Sequence, residues 1–75
     1  MKRHPVTSSD VASIAFRRSP LSMRGTLEVQ FNKGPVYKYY RVPFTVYEAL
    51  RTADSVGSAL NVLVKRAGFK YARIA

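Results

Sequence analysis

Apolar and polar positions alternate most clearly at residues 27–31, where Leu27, Val29 and Phe31 flank Glu28 and Gln30. A period of two marks a strand with one buried face. Asn32, Lys33, Gly34 and Pro35 follow as turn chemistry, because Asn and Gly tolerate positive φ and Pro has no N–H to pair. Residues 36–41 then read as a second strand, rich in tyrosine, and Val42-Pro43 closes it. Upstream, Ile14 and Phe16 alternate inward and predict a first short strand over residues 12–16. Between these strands, residues 17–25 read as a loop punctuated by Pro20 and Gly25. That loop holds Arg17, Arg18 and Arg24 and no acid.

The period changes after Pro43. Val46, Tyr47, Leu50 and Ala53 recur at helical spacing and predict a helix over residues 43–53, with Pro43 in its first turn. Thr45 and Glu48 fit a capping-box pattern, but Pro43 favours the earlier start. Asp54-Ser55 ends this helix, and Ser55 or Ser58 can cap a second one over residues 56–66. Its buried face carries Val56, Leu60, Leu63 and Val64. Lys65 and Arg66 suit the negative end of the helix dipole, and Gly68 supplies a left-handed stop. Residues 69–74 alternate again, either as a short edge strand or as a tail pinned by Phe69 and Tyr71. Residues 1–8 show no periodicity and read as a disordered tail, leaving residues 9–75 as a single domain. The pattern predicts an α+β fold: a three-stranded antiparallel meander, two helices packed on one face, and room for a short C-terminal strand.

Composition adds charge to this picture. The chain of 75 residues carries 13 Lys and Arg against four acids, a formal net charge of +9. Such a balance favours nucleic acid or an acidic protein surface as partner, with solubility as the plain alternative. There is no cysteine, which excludes disulfides and thiolate chemistry and fits a reducing cytoplasm. No apolar run approaches the ~18 residues of a membrane span.

Catalytic chemistry is disfavoured. His4 is the single histidine and falls in the expected tail, and the four acids make no metal-binding pattern. The expectation is a non-enzymatic domain without cofactor or metal. Gly25 and Gly34 read as turn glycines, and Gly57 as one that lets helices pack closely. Tyr37 and Tyr39 share a strand face. They form either a stacking platform for bases or part of the helix-covered core, and the core reading is favoured because so small a domain needs aromatic bulk. The opposite face then presents Lys38 and Tyr40. Candidate partner-binding residues are Arg17, Arg18, Arg24, Lys38, Tyr40, Arg41, Lys65 and Arg66.

The residues from Leu27 onward resemble the KTSC domain, named for a C-terminal extension of some lysyl-tRNA synthetases. The likeness rests on Leu27, Val29, Phe31 and Gly34, then on Tyr37-Lys38-Tyr39 as the family's Tyr-x-Tyr. It continues through Val42-Pro43, Val46-Tyr47, Leu50, Ala53, Ser55, Gly57 and Asn61, with residues 11–16 as the leading strand. Phe16 departs from the family's usual Tyr, and the basic 17–25 segment is longer than usual. The resemblance implies the fold above and an RNA-binding module. Size, basicity and domain type also resemble small bacteriophage regulators that bind the host RNA polymerase. That likeness implies a cytoplasmic, monomeric transcription regulator in the bacterial host. It would dock on acidic surface, or on an extended segment of a large polymerase subunit, inhibit initiation by weakening sigma-factor binding, and act as an antiterminator.

Overall fold

A computed structural model describes residues 3–5 and 10–75 of the chain, with side chains described from Asp10 onward. Five strands form one antiparallel sheet in chain order: β1 (Arg3–Pro5), β2 (Val11–Arg18), β3 (Arg24–Phe31), β4 (Val36–Pro43) and β5 (Tyr71–Arg73). Between β4 and β5 the chain forms α1 (Phe44–Arg51) and α2 (Val56–Leu60), and α2 runs on as a π-helical segment, Asn61–Lys65. The expected meander, helices and C-terminal strand are all present. The N-terminal expectation is corrected: within the stretch read as a tail, Arg3–Pro5 pairs with Ser13, Ile14 and Ala15 of β2. The rest of residues 1–8 lies outside the described residues.

The core lies between the sheet and the helices. Alternation places Ile14 of β2, Leu27 and Val29 of β3 and Tyr39 and Val42 of β4 on one face, where they bury together with Leu50, Val56, Leu60 and Val64. The opposite face carries Ser13, Arg17, Glu28 and Lys38, with Lys38 directly across from Glu28. At one end of this core Phe16 stacks on Tyr47 with centroids 5.2 Å apart and meets the edge of Phe44 at 5.7 Å. Offset and edge-on pairs of this kind favour the ring quadrupoles.

The segment expected as a loop over residues 17–25 is a longer hairpin instead. Arg17 and Arg18 end β2, Arg24 and Gly25 begin β3, and only residues 19–23 turn. The Ser19 N–H donates to the Arg24 carbonyl at 3.0 Å, which closes that turn. Gly25 is therefore not a turn glycine. A Cβ there would stand 2.2 Å from the Arg17 carbonyl oxygen and 2.8 Å from the Phe16 ring. Only glycine admits the close approach of these two strands.

Pro43 ends β4 rather than opening α1; its φ of −62° and ψ of 142° are extended, and it stands at the N-cap. Proline offers no capping oxygen. The first orphan N–H of the helix, on Phe44, instead donates to the Met23 carbonyl at 2.8 Å, so the β2–β3 turn serves as the cap. Ser55 caps α2 as expected, its Oγ accepting from the Ser58 N–H at 3.4 Å. Gly34 and Gly68 take φ of 111° and 79°, the left-handed stops their positions require. The register between β3 and β4 shifts between Gly25 and Leu27, so that Thr26 faces both Tyr40 and Arg41. At this bulge Arg41 has a φ of 57°. A non-glycine residue held there costs about 1–2 kcal/mol.

Candidate functional site

The helices do not cover the whole inner face of the sheet. Toward the end of β3 and along β5 that face stays open as an aromatic groove. Parity along the strands builds it: Phe31, Tyr37 and Tyr39 point to the helix side, and Tyr71 of β5 stands across from Tyr39. Tyr39 is nearly buried at 5% exposure, whereas Tyr71 is 65% exposed, so the groove grades from core to solvent. Phe31 and Tyr37 meet edge-on at 5.7 Å, Tyr37 and Tyr71 edge-on at 6.0 Å, and Tyr39 and Tyr71 tilt at 5.7 Å. Lys65, the last residue of the π-helical segment, holds its Nζ 5.2 Å from the Phe31 ring centre. Cation and ring attract at that distance, which favours placing the ammonium over the groove.

Two connected compartments result, sharing Phe31, Tyr37 and Lys65. One, of about 230 Å³, is bounded by Tyr39 and Tyr71. The other, of about 280 Å³, extends past Asp10, Lys33 and Pro35. Burial pushes the Tyr39 hydroxyl above its ordinary pKa, and the neighbouring Tyr37 and Tyr71 add to the effect. As a phenol its hydroxyl is both a donor and an acceptor. The arrangement sets exposed aromatic ring faces beside one ammonium group. Among the described residues no group of His, Asp or Glu is placed to hold a metal ion.

The eight residues expected to bind a partner do not form one site. Arg17, Tyr40 and Arg41 stand at the end of the hairpin where β3 begins and β4 ends, with Arg24, whose Nη1 donates to the Arg41 carbonyl at 2.8 Å. Arg18 turns to the helix side, its guanidinium 5.6 Å from the Phe44 ring centre and its Nη2 2.9 Å from the Met23 Sδ. Lys38 lies half-buried in the middle of the outer face. Lys65 belongs to the aromatic groove, and Arg66 caps the π-helical segment beside it. The expectation for Tyr39 holds, since it is core. Tyr37 is half-buried and serves both core and groove. Phe31 and Tyr71 were absent from the expected set. Their signal was strand parity: an alternating Phe69-x-Tyr71 segment paired with β4 puts Tyr71 beside Tyr39.

An antiparallel meander backed by two short helices, with an aromatic groove at one end of the sheet, defines a small α+β domain. The KTSC domain family matches residues 7–69, and the chain belongs to that family. It is 36% identical over 74 residues to an uncharacterized protein of Stutzerimonas stutzeri, covering 99% of both chains. It is 37% identical over 60 residues to a lysine–tRNA ligase of Nostoc; the match covers 80% of this chain and 10% of the ligase. The crystal structure of a KTSC domain protein from Yersinia pestis superposes with a TM-score of 0.82 at 29% identity, over 99% of this chain and 97% of that one. The chain thus spans about a tenth of the tRNA ligase and nearly all of the free-standing relatives.

Proposed function

We propose that this domain binds single-stranded RNA, with unstacked bases lying on the rings of the aromatic groove. One observation carries the reading: Phe31, Tyr37 and Tyr71 line a cleft beneath the Lys65 ammonium. Single strands are held by aromatic faces for the bases and cations for the phosphates. The net charge of +9 supports the same partner, as does the likeness to a lysine–tRNA ligase, an enzyme whose substrate is an RNA. Anisotropy titration of a labelled single-stranded RNA near ~0.15 M salt tests it. Tyr71→Ala should weaken binding by ~1–3 kcal/mol, the contribution of one stacked base. Lys65→Gln should weaken it and flatten the salt dependence. RNA affinity unchanged in a folded Tyr71→Ala, Lys65→Gln double variant sinks the reading.

A second reading has its own observation. Leu21 and Met23 are 99% and 58% exposed in the β2–β3 turn, next to Arg18 and Arg24. Apolar anchors rimmed by arginines suit an acidic protein surface rather than a nucleic acid. The expected partner is bacterial RNA polymerase, with the domain inhibiting initiation as bound polymerase holds sigma factor less tightly. Linkage then requires sigma factor to weaken the domain's binding in turn. A competition titration with purified polymerase decides: an affinity indifferent to sigma factor rejects this mechanism.

A further inference from the structure

We infer that the β4 bulge and the β2–β3 turn form a second, separate binding site, a pocket for a dianionic phosphate, either the free ion or a terminal monoester. The pocket has a volume of about 190 Å³ and is lined by Ser19, Ser22, Arg24, Thr26, Tyr40 and Arg41, with Gly25 between Arg24 and Thr26. That volume is below the ~300 Å³ at which pockets for drug-sized ligands begin, so the fit is to an ion-sized group. Every side chain named is a hydrogen-bond donor: two guanidiniums, three aliphatic hydroxyls and a phenol. Among the described residues the lining has no carboxylate to compete for the cations.

Two of the donors are held in place by backbone. Arg24 is fixed through its Nη1 bond to the Arg41 carbonyl at 2.8 Å, which leaves the other guanidinium nitrogens to reach an anion. Ser22 Oγ accepts from the Arg24 N–H at 3.1 Å, so its own hydrogen is directed elsewhere. Arg41 lines the pocket from the bulge, where its backbone is held at a φ of 57°, a conformation that ordinary side chains avoid. Strain at a pocket residue points to use of that residue. Two guanidiniums and several hydroxyls arriving from both sides match the three oxygens and double charge of a monoester better than the single charge of an internal phosphodiester.

Phosphate of this kind comes either free in solution or at the end of a nucleotide or nucleic acid. Amide NMR titration of the full chain with inorganic phosphate, near ~0.15 M chloride, tests the site itself. Saturable shifts should be confined to residues 19–26 and 40–41. They should be stronger near pH ~8 than near pH ~5, because a terminal phosphate gains its second charge between these values, at about 6 in a monoester and nearer neutrality in the free ion. Arg41→Gln should weaken phosphate binding at least ~10-fold. Ser22→Ala should weaken it less, and serves as the second variant should Arg41→Gln alter the fold. Separate arms compare inorganic phosphate, a nucleoside 5′-monophosphate, and RNA with and without a 5′-phosphate. Preference for the 5′-phosphorylated RNA assigns the end of a strand, and equal affinity for inorganic phosphate assigns the free ion. Shifts spread over the surface lysines, or phosphate affinity unchanged in both variants, overturn the proposal.

Discussion

Single positions set what the hairpin tolerates. Gly25 is the sharpest case, because the obstacle to a side chain there is the Arg17 carbonyl, 2.2 Å from any Cβ. A backbone atom in a paired strand cannot swing aside as a side-chain tip can. Gly25→Ala should therefore destabilise the domain by ~1–3 kcal/mol, the usual cost of forced overpacking. Chemical denaturation measures it, and a midpoint unchanged from the parent contradicts the close approach. Tyr39 yields a prediction about alkaline stability. Its pKa is raised in the folded state above the ordinary 10.0. The unfolded chain therefore loses this proton first, and binds fewer protons than the native chain between pH 10.0 and the raised value. Stability is fully present below that window and falls as pH rises through it. Thermal melts from neutral to alkaline pH should show a steeper decline for the parent than for Tyr39→Phe, which keeps the ring and removes the proton. Parallel curves contradict the assigned shift.

Elements were legible where burial imposed a period and illegible where contact across strands did the work. Leu27, Val29 and Phe31 announced β3, and Val56, Leu60 and Val64 announced the face of α2, because each repeat had a core to fill. The ends of β2 and β3 were missed for the opposite reason. Arg17, Arg18 and Arg24 are exposed at the hairpin end, so no apolar position marks the strand there, and Gly25 resembles punctuation until the neighbouring carbonyl is seen. A three-residue strand such as Arg3–Pro5 is too short to show any period. The bulge at Arg41 and the π-helical winding that ends at Lys65 left no mark in the sequence, and these two residues line the pocket and the groove respectively. The hairpin end carries its own prediction. Arg17→Glu, Arg18→Glu and Arg24→Glu together reverse three charges at exposed positions, and should cost no more than ~1.5 kcal/mol in stability. With an acidic protein as partner, association should slow and its salt dependence flatten. Surface plasmon resonance at two salt concentrations reads both, and unchanged association at low salt would reduce these arginines to a solubility role.

For the whole molecule, the sheet order equals the chain order. Each of the first three pairings closes a hairpin between sequence neighbours, and β3–β4 closes the tightest, through the Gly34 N–H donating to the Phe31 carbonyl at 3.0 Å. Only the β4–β5 pair, with Tyr37 across from Arg73, spans the two helices. Loops closed locally lose less entropy, which favours rapid assembly. The β3–β4 hairpin should therefore be formed in the folding transition state, with β5 docking after it. In stopped-flow kinetics Val29→Ala should chiefly slow refolding, whereas Tyr71→Ala should leave refolding nearly unchanged and hasten unfolding. The reverse partition would place β5 in the nucleus. An outer strand that arrives last is also the first to leave. The open wall of the aromatic groove then opens at a lower local free energy than the central strands, and its amides should exchange with solvent well before those of β3.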